Sequence, residues 1–341
     1  MGSSSHLPGR VVWIAAAAAT ALSLAVPSAA SGSSGATGVA VPRSSEGIRQ
    51  SRPVGMQVAA GPFSGHLGIT GDGLGTLSDT GTLTVKIHDP DSTILSALLY
   101  VKTNNYATAS QIGFEGETVP LTFVPGDSPS CCPGFYPTYR ADVTSIVAAT
   151  VGSGSGTFLM DVDESVTGLG SDLVDGEALY VVYDDASLPS REIYLMEGGV
   201  TSLTPEPVDV SLLSPYAGGR AKMSIGISFS TEECPPVGSQ YTIVTVQGNV
   251  VSDCAGGFED GAFANGALLT VGGYGDDFAN PAQSGADDEK YDIAPSLTVG
   301  DTTIDLTFEN PSGDDSTFVL AIAVTMPVTR DGARANAGVF G

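Results

Sequence analysis

The sequence predicts an all-β protein built from two tandem, related antiparallel β-sandwiches of jelly-roll-like type. Three observations carry that expectation. From about Pro62 onward, short runs rich in β-branched and aromatic residues are separated by clusters of Gly, Pro, Asp and Ser, and 44 of the 341 residues are Gly and 21 are Pro. Helical periodicity is nearly absent, the best candidate being the short segment 142–148. The order of local patterns also recurs in the second half of the chain. Many short strands joined by Gly- and Pro-rich turns indicate a sandwich or jelly roll rather than a parallel sheet.

Taken in chain order, residues 1–30 read as a secretory signal peptide. A polar start with one cation, Arg10, leads into the apolar run Val11 to Val26, then Pro27 and small residues suited to cleavage near Ser31. Residues 31–55, rich in Ser, Gly, Ala and Arg, read as a flexible linker. Leu83, Val85 and Ile87 alternate with polar residues, the period of a half-buried strand. The runs 94–101 and 179–183 are continuously apolar and suit strands covered on both faces. Further strands are expected at 157–162, 191–196, 223–229, 241–246, 303–308 and 318–326. Residues 328–341 read as a disordered tail without a wall-sorting motif or anchor helix.

The two halves resemble each other. Ile112-Gly-Phe114-Glu-Gly116-Glu-Thr-Val119 corresponds to Val244-Thr-Val246-Gln-Gly248-Asn-Val-Val251. An Asp-led segment at Asp142 precedes Gly156 and a strand, as Asp292 precedes Gly300 and a strand, and each half closes on a buried run. This order divides the chain into a first sandwich at 56–200 and a second at 201–327, with Pro205 and Pro207 at the boundary.

A further series carries a resemblance. Ala97-Leu-Leu-Tyr100, Ile112-Gly-Phe-Glu-Gly116, Tyr139-Arg-Ala-Asp-Val-Thr144, Glu177-Ala-Leu-Tyr-Val-Val-Tyr-Asp184 and Leu188-Pro-Ser-Arg191 follow one another in order. The series resembles a class of secreted bacterial β-domains of unknown function found in cell-surface and extracellular proteins. Those domains carry A-x-L-Y-W, Y-R-A-D-V-T and G-A-S-L-V-V-V-Y signatures. Val101 stands where the pattern has Trp, and Glu197-Gly198 replaces its Asp-Gly turn. The likeness is tight over 94–200 and looser over 201–326. It implies a surface or secreted structural and adhesive role, and it brings no catalytic residues.

Charge narrows the partners. The chain has 38 acidic and 13 basic side chains, a formal net charge of −25. Such a surface repels phosphate, which disfavours nucleic acid and anionic lipid. The partner expected is a cell-surface or extracellular macromolecule, with glycan as one class, and no membrane insertion follows signal removal. In an exported protein the four cysteines point to disulfides. Cys234 pairs with Cys254 and Cys131 with Cys132 if each half folds alone; crossed bridges between the halves stay open.

Catalytic sets are not evident. The only histidines after the signal are His66 and His88, and no His follows the hydrolase-like Gly126-Asp-Ser128. No Gly-x-Ser-x-Gly elbow, phosphate loop or His-Glu-x-x-His occurs. A carboxylate pair could hydrolyse glycosides, but among 38 acids none is specified. Loop carboxylates suit calcium better, and Asp276, Asp277, Asp287 and Asp288 bracket one loop. Asp161, Asp163, Ser165 and Asp172 imitate a calcium loop, but Val166 stands where Gly is required and residues 158–162 read as a strand. These features favour a secreted, non-enzymatic structural or adhesive protein, calcium being its one candidate cofactor. The alternative is an extracellular carbohydrate-binding or carboxylate-dependent glycan-hydrolysing protein. In that case Tyr100, Tyr106, Tyr136, Tyr139, Tyr216 and Tyr274 would stand in for the Trp that the chain lacks after the signal.

Overall fold

The computed structural model describes residues 55–75, 78–104, 107–126, 136–170, 173–229, 241–256, 269–273, 289–313 and 315–326. The expected signal peptide, nearly all of the linker and the tail lie outside them. Among the described residues, no helix is long and apolar enough to cross a membrane.

The first half forms β1 (Gln57–Leu74), β2 (Thr80–Ile87), β3 (Thr93–Thr103), β4 (Gln111–Phe114), β5 (Glu117–Pro120), β6 (Thr122–Val124) and β7 (Thr138–Asp142). Helix α1 (Thr144–Val151), β8 (Gly156–Asp163) and β9 (Val174–Asp184) follow. The second half forms β10 (Ser190–Val200), β11 (Glu206–Ser211), β12 (Ala221–Ser228), β13 (Thr242–Val246) and β14 (Asn249–Ala255). It ends with β15 (Thr270–Val271), β16 (Lys290–Asp292), β17 (Thr303–Glu309) and β18 (Ser316–Thr325). The fold is all-β and antiparallel, as the sequence predicts.

Two outer sheets have corresponding orders, β2-β8-β4-β5 and β11-β17-β13-β14. The hairpins within them share one turn. Glu115 and Gly116 have φ of 51° and 76°, and Gln247 and Gly248 have the same values. Two successive left-handed residues match the twist of a tight hairpin. The Asp-led segments also correspond: Asp142 Oδ1 accepts from the Thr144 amide at 3.0 Å, and Asp292 Oδ1 from the Ala294 amide at 3.1 Å. Each carboxylate satisfies an amide that the short helix leaves free.

The remaining strands form one hydrogen-bonded path, β15-β12-β18-β10-β1-β9-β3-β7-β6, with β16 on β12. Strand β1 holds it together by changing partner along its length. Residues Gln57 to His66 pair with β10, and Leu67 to Leu74 pair with β9. The path is therefore two inner sheets joined by a common strand, and all described residues belong to one compact unit. The boundary drawn near residue 201 falls between β10 and β11 inside that unit.

Three cores result. Leu83, Val85, Leu99, Phe114, Met160 and Val181 fill the space between the first outer and inner sheets. Met223, Ile225, Val244, Leu306, Phe308 and Ile322 do the same in the second half. A third core lies between the inner sheets: Leu98, Tyr100, Tyr180, Ile193, Leu195 and Phe318. Alternate residues of β3 and β9 thus enter different cores, which explains why those runs are apolar without a break.

Lys102 pairs with Gly176 but Thr103 pairs with Val174, a bulge that turns Asp175 toward the third core. Gly176 sits there at φ 151°, and a Cβ would lie 2.4 Å from the Leu74 carbonyl oxygen. Gly176→Ala is expected to cost about 2–3 kcal/mol from strain and displaced backbone. A urea midpoint unchanged from wild type would contradict the bulge.

Candidate functional site

The seam between the inner sheets is apolar at its centre and polar toward its ends. Tyr180 and Ser224 share a hydrogen bond across it at 2.7 Å. Toward one end, the Lys102 ammonium donates to Thr138 Oγ1 at 3.1 Å and Ser316 Oγ at 3.2 Å, 5.7 Å from the Phe318 ring centroid. Burial lowers the Lys102 pKa to about 8, with Asp175 opposing the shift. Asp175 also accepts the Phe229 amide at 3.0 Å. Beside them, Arg140 Nη1 on β7 meets Glu197 Oε1 on β10 at 2.6 Å. Burial and then Glu197 hold the Tyr100 phenol well above its ordinary range. These groups lock the two halves in one register, because a misaligned seam would bury charge without its partner.

At the opposite end both histidines flank the turn between β9 and β10. His66 Nδ1 lies 2.7 Å from the Leu188 carbonyl, and its own carbonyl accepts the Asp185 amide at 2.8 Å. His88 Nδ1 lies 3.1 Å from Asp185 Oδ2 and 3.3 Å from Ser187 Oγ. The sequence signal for this cluster was present, two histidines and an Asp-Asp pair, but only the fold brings them together. It is not a nucleophilic triad. There the serine must meet the ring nitrogen that the carboxylate does not hold. Here both compete for Nδ1, and Ser187 Oγ donates to Asp185 Oδ1 at 2.6 Å. Burial raises the Asp185 pKa, but the Ser187 and His88 contacts outweigh it and hold the carboxyl below its ordinary range. The cluster clasps the turn. Asp185→Asn is expected to cost about 1–2 kcal/mol, read from thermal or urea unfolding.

Next to the clasp a cavity of about 370 Å³ opens, lined by Ile69, Thr70, Lys86, His88, Thr157 and Tyr183 among others. Hydroxyls, the Lys86 amine and the His88 imidazole surround an apolar floor, the composition of a site for a small polar ligand.

A second buried polar feature was not legible in the sequence. Glu164, in the short helix Glu164–Thr167, and Glu177 of β9 are 2% and 0% exposed, their carboxyl oxygens lack hydrogen-bond partners among the described residues, and the charge of Glu164 acts on Glu177. Burial comes first and charge repulsion second in raising both. Glu164 is pushed up to about 8, with Asp79 adding to the shift, and Glu177 is raised well above its ordinary value. Glu164 follows a strand in a polar turn, so nothing in its neighbourhood marks it as buried.

The residues expected to carry a site are distributed differently. Asp276, Asp277, Asp287 and Asp288 lie outside the described residues, as do Cys131, Cys132, Cys234, Tyr106 and Tyr274. Cys254, at the end of β14, is disulfide-bonded, and the other cysteines are outside the described residues. Asp161 and Asp163 belong to β8, and Asp163 caps the following short helix by accepting the Ser165 amide. Its carboxylate is therefore engaged by the backbone. Among the described residues no group of three His, Cys, Asp or Glu side chains could hold a metal ion. The tyrosines proposed as sugar platforms need correction. Tyr100, Tyr136, Tyr139 and Tyr216 are 0%, 7%, 6% and 5% exposed, so their faces pack the cores and are not offered to a ring.

No family model matches the chain, and no curated protein matches it. Among solved structures it is similar to a β-porphyranase of glycoside hydrolase family 86 from the human gut bacterium Bacteroides plebeius. That match has 12% identity and a TM-score of 0.25, covering 73% of this chain and 35% of that one. BuGH86 in complex with neoagarooctaose matches at 10% identity and 0.25, covering 75% and 34%. A peptide-N(4)-(N-acetyl-β-D-glucosaminyl) asparagine amidase matches at 12% and 0.26, covering 76% and 97%. The chain spans about a third of the family 86 proteins. At such scores these likenesses carry no functional argument.

Proposed function

We propose that this chain is an extracellular, non-enzymatic structural or adhesive module that presents two β-sandwiches as one block to a surface macromolecule. The observation that supports it is the joint. Strand β1 belongs to both inner sheets, and the seam is locked by an ion pair whose carboxylate is buried and by a buried lysine. A load on either half is then borne by strand pairing along β1 rather than by a linker. The test is mechanical and chemical. Single-molecule stretching should unfold the block in one main event, and two independent events of half length would overturn the reading. Incubation with a panel of polysaccharides and glycopeptides should release no product. Turnover would overturn the non-enzymatic assignment and favour a glycan-processing one.

A second reading, an extracellular carbohydrate-binding protein, is supported by the cavity beside His88, whose polar wall and apolar floor suit a saccharide unit. A glycan array tests it. Binding that Lys86→Ala removes supports it, and the absence of binding overturns it.

A further inference from the structure

Acidic side chains outnumber basic ones by 38 to 13 in this chain. Lys86, Lys102, Arg140, Arg191, Arg220, Lys222 and Lys290 are the Lys and Arg among the described residues, and three of them line a single cavity of about 110 Å³. These are Arg191, Arg220 and Lys222, with Ile69, Ala323 and Thr325. Strand alternation places them there. Arg191 shares its face of β10 with Ile193 and Leu195, which enter the third core, and Lys222 shares its face of β12 with Ser224, which meets Tyr180 across the seam. Between them runs β18, where Thr325 pairs with Arg191 and Ala323 with Lys222. Those two short side chains leave the seam unfilled at its mouth. Arg220 adds its charge from the chain just before β12, its carbonyl accepting the Thr325 amide at 2.8 Å.

The pocket's own contacts fix its walls. Arg191 Nη1 donates to the Leu67 carbonyl at 2.9 Å. Asp292 lies opposite Lys222 in the β12–β16 register and attracts it. Burial, then Arg191 and Arg220, hold the Lys222 pKa below its ordinary value against that attraction. Three cations are thus close enough to oppose one another, with the Asp292 carboxylate acting on Lys222 from β16.

We propose that the seam mouth formed by Arg191, Arg220 and Lys222 binds a tetrahedral oxyanion group, sulfate or phosphate. Three cations gathered on one cavity attract such an anion, and guanidinium groups offer paired donors to its oxygens. The volume is sufficient for the group itself. Ile69 also lines the larger cavity beside His88, so a molecule bearing the anion has space to continue there. The proposal is independent of the mechanical role argued above.

The test is a titration of the full protein with sodium sulfate and sodium phosphate against sodium chloride at constant ionic strength. Melting temperature is followed, with phosphorus NMR line width for phosphate. A saturable rise is expected with both oxyanions. Arg220→Gln and Lys222→Gln, alone and together, should move its midpoint at least about tenfold higher in concentration. Sulfate and phosphate stabilise folded proteins generally by exclusion. An unsaturating rise of equal size in wild type and variants therefore overturns the site. Should the double variant fail to fold, wild-type phosphate broadening that sulfate but not chloride reverses supports the site, and no broadening overturns it. Glucose phosphate and glucose sulfate run beside the free ions distinguish the source. Tighter binding of the esters assigns the anion to a saccharide, equal binding to a free ion, and either supports the site.

Discussion

Between about pH 5 and pH 8 the melting temperature of this protein should fall, and Glu164→Gln or Glu177→Gln should remove much of the fall. The folded-state pKa of Glu164 is raised from 4.5 to about 8, and that of Glu177 is raised as well. Such a group is protonated more readily in the folded chain than in the unfolded one. Its stabilising share is fully present below about pH 4.5 and is lost as pH rises through the folded value. A shift of this size corresponds to a few kcal/mol, or on the order of 5–10 °C in melting temperature for a chain of this length. Lys102, lowered to about 8, acts only at the alkaline edge of the window. General repulsion among the acids also grows with pH, but it is common to wild type and variants. The difference between their profiles is the readout. Parallel profiles would show that the carboxyl pair is not buried as described.

Arg140→Met should destabilise the protein by about 2–4 kcal/mol, because it leaves the Glu197 carboxylate in the seam without its ion-pair partner. Arg140 is 28% exposed and Glu197 only 6%, so solvent relieves part of the penalty on the arginine side and little on the other. Replacing both, by Met at 140 and Leu at 197, should cost less than the sum of the single changes. Removing two charges together spares the seam an unpaired one. Chemical denaturation of the four proteins closes this cycle. Additive losses would mean that the pair is solvated and does not lock the halves. Loss of cooperativity in Arg140→Met, seen as two transitions, would add that the lock is what makes the block unfold as one.

The strands of continuous or alternating apolar residues were legible, since β2, β3, β8, β9, β10, β12, β13, β17 and β18 all lie where pattern places them. The segment 142–148 was legible as the chain's best helical candidate from its periodicity, and the helix forms there at Thr144–Val151. Strand β1 was not. Gly61, Gly65, Gly68, Gly71 and Gly73 interrupt its alternation, and Gly68 is required because a Cβ there would sit 2.1 Å from the Tyr183 ring. The stretch with Pro205 and Pro207 reads as a boundary, yet Pro207 lies within β11. That strand is an edge of its sheet, where a residue without an amide hydrogen is tolerated. The candidate site was the least legible part. Arg191 and Lys222 each show the alternation that turns them toward the seam, but that β18 sets them either side of Ala323 and Thr325 is a fact of long-range pairing.

The strand that belongs to both halves also governs how the chain can fold in time. Strand β1 is synthesised before every other strand described, yet its C-terminal half waits for β9 and its N-terminal half for β10. Strand β10 in turn waits for β18, the last strand of the fold. Contacts so distant along the chain close slowly, since the loop must be ordered before the pairing rewards it. A growing chain can close its first inner sheet once β9 emerges, but the second stays unfinished until its final strand does. A polypeptide bound for threading through an export channel before it folds would gain from that delay.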